Sequence, residues 1–98
     1  MNNIFITGET TFDILFENDQ PKTLNVGGSQ LNTSVSLGRL GLPVSLITRL
    51  GTDRLSELGE AFLQKNGINT SYISRFEGNS RIALAFLDKK KDAEYTFY

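Results

Sequence analysis

The chain has 98 residues and 10 basic against 11 acidic side chains, a net charge of -1, with 39% hydrophobic and 21% charged residues. That balance describes a folded segment with a thin core, and the lack of a basic stripe excludes a nucleic-acid surface. Cysteine and histidine are both absent, which rules out disulfide scaffolds, thiolate metal sites, the common zinc sites and Ser-His-Asp catalysis. The start, MNNI, has neither the basic opening nor the long apolar stretch of a secretory signal. No apolar run is long enough to cross a bilayer. The expected compartment is the cytoplasm, with no membrane partner.

In chain order, residues 4–8 (IFITG) form a short apolar run closed by glycine, as suits a strand buried in a parallel sheet. Residues 10–17 (TTFDILFE) alternate, with Phe12, Ile14 and Phe16 on one face and Asp13, Leu15 and Glu17 on the other. The Phe12 face needs a cover, either the core or a second subunit. Asn18-Asp19-Gln20-Pro21 reads as a turn in which the proline stops pairing, and residues 22–26 extend again, giving a first hairpin. A helix is predicted over residues 29–40, with Leu31, Val35 and Leu40 roughly on one face and Gly41 as its left-handed stop. Gly38 inside it implies close approach by another backbone.

Residues 44–50 (VSLITRL) read as the second core strand. Thr52 or Asp53 caps a second helix over residues 54–66, whose Leu55, Leu58, Gly59 and Phe62 follow helical spacing up to a stop at Gly67. Residues 68–74 give a short third strand. Residues 81–88 and 94–98 form a second hairpin around a solvated tip that includes Lys89, Lys90 and Lys91. Alternation of strands and helices implies a right-handed parallel α/β core. The two hairpins are expected to pair into a separate small sheet. Both helices fall on one face of the core sheet, so the other face is left bare, as in the N-terminal piece of a larger domain.

The stretch VGGSQLN (residues 26–32) can carry chemistry. Paired glycines admit close approach of a ligand, the helix start offers unpaired N–H donors, and the Asn32 amide both donates and accepts. A plain tight turn with a helix cap explains the same residues. The dinucleotide pattern G-x-G-x-x-G is unmatched, and the Gly-Lys-Ser/Thr ending of a P-loop is missing. Asp13 is the odd carboxylate in an apolar strand. It is either a polyol ligand accepting two hydroxyl bonds or a solvated surface position. Gly51-Thr52-Asp53 has the look of a catalytic Gly-x-Asp, but a helix cap followed by Leu55 and Leu58 explains it better. Tyr95 and Phe97 share a face, where they could stack on a sugar ring or simply pack across strands.

Together these stretches resemble the N-terminal part of the ribokinase/PfkB family of sugar kinases, most closely its fructokinase-like members. The resemblance runs from ITGETTFDIL through VGGSQLNTSVSLGRLG and LPVSLITRLGTDRLSELGEAFLQKNGINTSYI to RIALAFLDKKKDAEYTFY. It implies a three-layer α/β/α core, here partial, over about residues 3–9 and 29–75. A β-sheet lid would be formed by residues 10–26 and 81–98. It further implies phosphorylation of a sugar hydroxymethyl group with ATP and Mg2+, with a monovalent cation as an optional addition. By the same resemblance Asp13, Gly28 and Asn32 hold sugar hydroxyls, Gly27 completes the turn, and Ala83 and Phe97 contact the sugar from the lid. Lid sheets of the family often pair two subunits, so a homodimer is implied. The family's Gly-Ala-Gly-Asp motif, which carries the catalytic base, does not occur in these residues. The expectation is therefore the acceptor side of a kinase, inactive by itself. A sugar-binding or dimerising module without catalysis, and an α/β nucleotide-binding protein of another family, remain as alternatives.

Overall fold

A computed structural model describes residues 3–90 and 92–98; Lys91 of the lysine run, and Met1 and Asn2 of the N-terminal stretch, lie outside the described residues. The elements are β1 (Ile4–Thr7), β2 (Thr11–Glu17), β3 (Gln20–Gly27), α1 (Ser29–Arg39), β4 (Val44–Leu50), α2 (Arg54–Lys65), β5 (Ile68–Asn69), β6 (Ile73–Arg75), β7 (Ile82–Leu87) and β8 (Ala93–Phe97). They make two sheets. In the first, β1, β4 and β5 run parallel in that order, and β6 also pairs with β4. The second has the order β3-β2-β7-β8, two antiparallel hairpins joined through a parallel β2–β7 pair. The expected pairing of the two hairpins into their own sheet is present.

The core lies between the first sheet and both helices. Leu31 and Val35 of α1, Leu63 of α2, Val44 and Leu46 of β4 and Ile68 of β5 form one buried cluster, and Ile4 and Ile6 pack against it. Strand geometry sends alternate side chains to opposite faces. Val44, Leu46, Thr48 and Leu50 accordingly face the helices and are buried, while Ile47 and Arg49 point the other way and are exposed. Phe5 and Tyr72 are exposed too, and meet edge to face at 5.3 Å. On the face opposite the helices Ser45 is buried beside Asn69, which donates to its hydroxyl at 3.1 Å, while Phe5, Ile47, Arg49 and Tyr72 leave the rest of that face open among the described residues.

Four details depart from the sequence expectations. The third strand is broken into β5 and β6, because the Asn69 side chain accepts from Ser71 N at 3.0 Å and Ser71 Oγ at 2.7 Å and turns the chain. Pro21 does not stop pairing. The hairpin reverses at Asn18 and Asp19, both left-handed, and Pro21 lies opposite Phe16 beside a bulge in β3, an edge strand. Leu40 is the C-cap of α1 and is exposed, so Leu31, Ser34 and Val35 make the inward face.

In α2 the inward face is Ser56, Gly59 and Leu63, with Leu58 exposed. The helix is turned by the Phe12 ring, which packs onto Gly59 so closely that a Cβ there would lie 2.8 Å from Phe12 Cζ. Phe12 is only 2% exposed. The core therefore covers that end of the second sheet, leaving Ile14 and Phe16 half-buried, with Phe16 stacked on Phe86 at 4.7 Å. Gly38 does meet a backbone, that of Asn66, whose carbonyl oxygen would be 2.5 Å from a Cβ.

Candidate functional site

Strand register places the candidate residues. Across the second sheet Asn25 of β3 faces Asp13 of β2, Asp13 faces Ala83 of β7, and Ala83 faces Phe97 of β8. Directly opposed residues project on the same face, so Asp13, Ala83 and Phe97 form a single row, with Asn25 beside Asp13. One row further along, Leu15, Ala85 and Tyr95 are opposed in the same way. Tyr95 and Phe97 stack at 6.1 Å and are 60% and 72% exposed, above the buried Ala83 and Ala85. The face offers a carboxylate and an amide at one side and an open aromatic shelf at the other.

Asp13 is oriented from two directions. Thr11 Oγ1 donates to its Oδ1 at 3.0 Å, and its carboxylate fills the space over Gly27, where any Cβ would overlap it. The chain then turns at Gly28, whose φ of 110° is a left-handed value that side chains resist. A Cβ there would also stand 2.5 Å from the Glu9 carbonyl oxygen. Gly28 is the N-cap of α1, and without a side chain it gives no side-chain cap. The first turn of α1 contains no acidic residue, so its N–H groups keep their partial positive charge unneutralised. Asn32 N donates to Gly28 O at 2.9 Å, and the Asn32 side chain is exposed. Among the described residues it makes no hydrogen bond. All six residues singled out in the sequence are thus linked: Asp13 to Gly27 by contact, Gly28 to Asn32 by the first helical bond, and Asp13, Ala83 and Phe97 by register.

The two sheets are tied together at Asp53, the N-cap of α2. Its Oδ1 accepts from Ser56 N at 3.1 Å and Ser56 Oγ at 2.8 Å. Ser80, at the foot of β7, donates its N–H to Oδ2 at 2.7 Å and its hydroxyl to Oδ1 at 2.5 Å. The two serine hydroxyls are themselves 2.9 Å apart and buried. Partial burial works against the charged carboxylate, but the hydrogen bonds from Ser80 and Ser56 outweigh it and hold Asp53 well below the usual carboxylate range. Buried Thr10 and Thr48 meet at 3.0 Å to make a second tie, and Arg81 pairs with Glu9 at 2.5 Å on the surface.

Sequence reading missed Asn25 and Ser80. The hairpin register would have shown Asn25, had the bulge been placed, since it lies two residues before Gly27 on the Asp13 face. Ser80 carries no local signal, because its partner is 27 residues away. The described residues contain no group of three or more carboxylates positioned to hold a metal. No helix among them is long and apolar enough to cross a membrane.

An α/β core topped by a small β-sheet, with a glycine-pair turn between them, is the ribokinase-like sugar-kinase architecture. The chain belongs to the pfkB family of carbohydrate kinases, whose family model matches residues 1–98. It is 35% identical over 71 residues to a probable fructokinase-5 of Arabidopsis thaliana, a match covering 72% of the chain and 22% of the relative. It is also 35% identical over 100 residues to a 2-dehydro-3-deoxygluconokinase of Dickeya dadantii, covering 98% of the chain and 32% of the relative. Among solved structures, the fructokinase of Halothermothrix orenii superposes with a TM-score of 0.87 at 25% identity, over 100% of this chain and 37% of that one. The chain spans between about a fifth and a third of the length of the curated relatives it matches.

Proposed function

We propose that this chain is the sugar-binding, N-terminal part of an ATP-dependent carbohydrate kinase of fructokinase-like type, acting in the cytoplasm. The observation that carries the reading is the placement of Asp13. Its carboxylate is held over Gly27 by Thr11, at the head of a row that ends in the open ring of Phe97. An ionised carboxylate accepts two hydroxyl bonds and an amide gives and takes one each, the pattern of adjacent hydroxyls on a sugar. Gly28 lets the sugar approach the uncapped start of α1, and Ala83 with Phe97 gives its apolar face a surface. Gly27 is there to leave room for the carboxylate.

ATP with Mg2+ would supply the transferred phosphoryl group and neutralise its charge. These residues have no carboxylate cluster for the metal among those described and lack the Gly-Ala-Gly-Asp base motif. No phosphoryl-transfer step falls to them, and by themselves they are expected to bind without turnover. A homodimer through the lid would bury Ile14, Phe16 and the exposed Leu24. Phe12 needs no such partner.

An ATP-coupled screen of the full-length parent kinase against fructose, ribose, 2-dehydro-3-deoxygluconate, 5-dehydro-2-deoxygluconate and a nucleoside tests the proposal. Turnover with one of these acceptors supports it, with fructose expected. Sugar binding without turnover by the full-length parent would favour the non-catalytic module instead.

A further inference from the structure

We infer that Asp53 is a positioning residue of the sugar site, acting through Ser80 on the lid strand that carries Ala83. The inference rests on the sugar-site reading above. Asp53 looks like an ordinary helix cap, yet only part of its hydrogen bonding serves α2. Oδ1 takes the cap bond from Ser56 N, whereas Oδ2 is used by Ser80 N, 27 residues away. The segment leading to β7 lies along the start of α2. Thr52 N donates to Gly78 O at 2.9 Å, and a Cβ on Gly51 would be 2.5 Å from the same oxygen. One residue beyond Ser80, the Arg81 carbonyl accepts from Phe12 N at 2.9 Å, the residue next to Asp13. Two residues further on, Ala83 faces Asp13. Asp53 thus fixes the foot of β7, one of the two central lid strands, against the helix layer whose other member, α1, is N-capped at Gly28. The tie sets how the Asp13 row stands over the start of α1.

Asparagine separates this role from capping. Asn and Asp cap helices about equally well. Asp53→Asn keeps its acceptor oxygen for Ser56 N and the two serine hydroxyls only by placing its NH2 group at the Oδ2 position, donor against the Ser80 N–H. Capping alone therefore predicts a silent substitution. Ser80→Ala leaves the cap untouched and removes the hydroxyl bond. Arg54→Ala, which breaks only the exposed pair with Glu57, is the control.

The experiment uses the full-length parent kinase. Amide hydrogen exchange is followed in β7 and β2, and kinetics are measured with fructose and with 2-dehydro-3-deoxygluconate as acceptors. Asp53→Asn and Ser80→Ala are expected to speed exchange in β7 and to raise the acceptor KM by about tenfold to a hundredfold, leaving the KM for ATP unchanged. Arg54→Ala should do neither. Unchanged exchange in β7 overturns the inference whatever the kinetics. Faster exchange with an unaltered acceptor KM in an active enzyme overturns the positioning role and leaves a structural tie. If β7 responds but the parent phosphorylates neither acceptor and binds neither, the sugar-site reading fails and the positioning role with it.

Discussion

The Asp13 carboxylate occupies the space that any side chain at position 27 would need. Gly27 has an ordinary backbone, since it is not among the residues of positive φ. The glycine is therefore required by the carboxylate's position and not by the turn. Gly27→Ala should keep the fold, with a cost of about 1–3 kcal/mol for overpacking, because the carboxylate can swing aside. Sugar affinity should fall on the order of tenfold or more, since the displaced group is the proposed hydroxyl acceptor. Chemical denaturation beside sugar titration separates the two effects.

Gly28 should behave in the opposite way. Its φ of 110° and the Glu9 carbonyl oxygen beneath it leave a methyl no escape. Gly28→Ala should cost more than the roughly 1 kcal/mol typical of a compatible glycine site, and its lower Tm should appear in the absence of any sugar.

Two aromatic residues of the lid should separate stability from binding. Phe12 is 2% exposed and packs on Gly59, so Phe12→Ala should cost about 3–5 kcal/mol, measured by urea denaturation. Phe97 is 72% exposed, so Phe97→Ala should stay within about 0.5 kcal/mol of the parent. Its effect should appear as a threefold to tenfold weaker sugar affinity, about what one aromatic contact contributes.

Asp53 gives the pH dependence. Its native carboxyl is held below the ordinary value of 3.8, so at moderately acid pH the unfolded chain binds more protons than the folded one. Stability from this group is fully present above the ordinary Asp range and is lost as pH falls from there toward the depressed native pKa. The stability difference between the parent and Asp53→Asn, followed by thermal unfolding, should be flat from about pH 7 to pH 5 and shrink below about pH 4.

Much of this architecture was legible because the signals are local. Val44 to Leu50 is bounded by Pro43 and Gly51, and Gly41 and Gly67 stop both helices with left-handed values. The bare sheet face followed from the order of strands and helices. Helix faces were less legible. Spacing alone favoured Leu58 over Ser56, whereas α2 turns Ser56, Gly59 and Leu63 inward to meet Ser80, Phe12 and the core cluster, partners distant in sequence. The candidate site divides similarly. The glycine pair and Asn32 form a short motif visible in the chain. The row from Asn25 to Phe97 depends on the bulge opposite Leu15 and Phe16, which no residue type announces. The Asp53 tie depends on Ser80, which local sequence cannot locate.

The most direct test of the central claim is calorimetric titration of the full-length kinase with the acceptor that the screen identifies, comparing the unmutated protein with Asp13→Ala and Asn32→Ala. Asn32 is exposed and Asp13 is half-buried, outside the buried core cluster, so both variants should fold. The account predicts that each weakens sugar binding by at least about tenfold, the loss of a hydrogen bond to a charged or well-placed polar group. Folded variants that bind the sugar as tightly as the parent would contradict it.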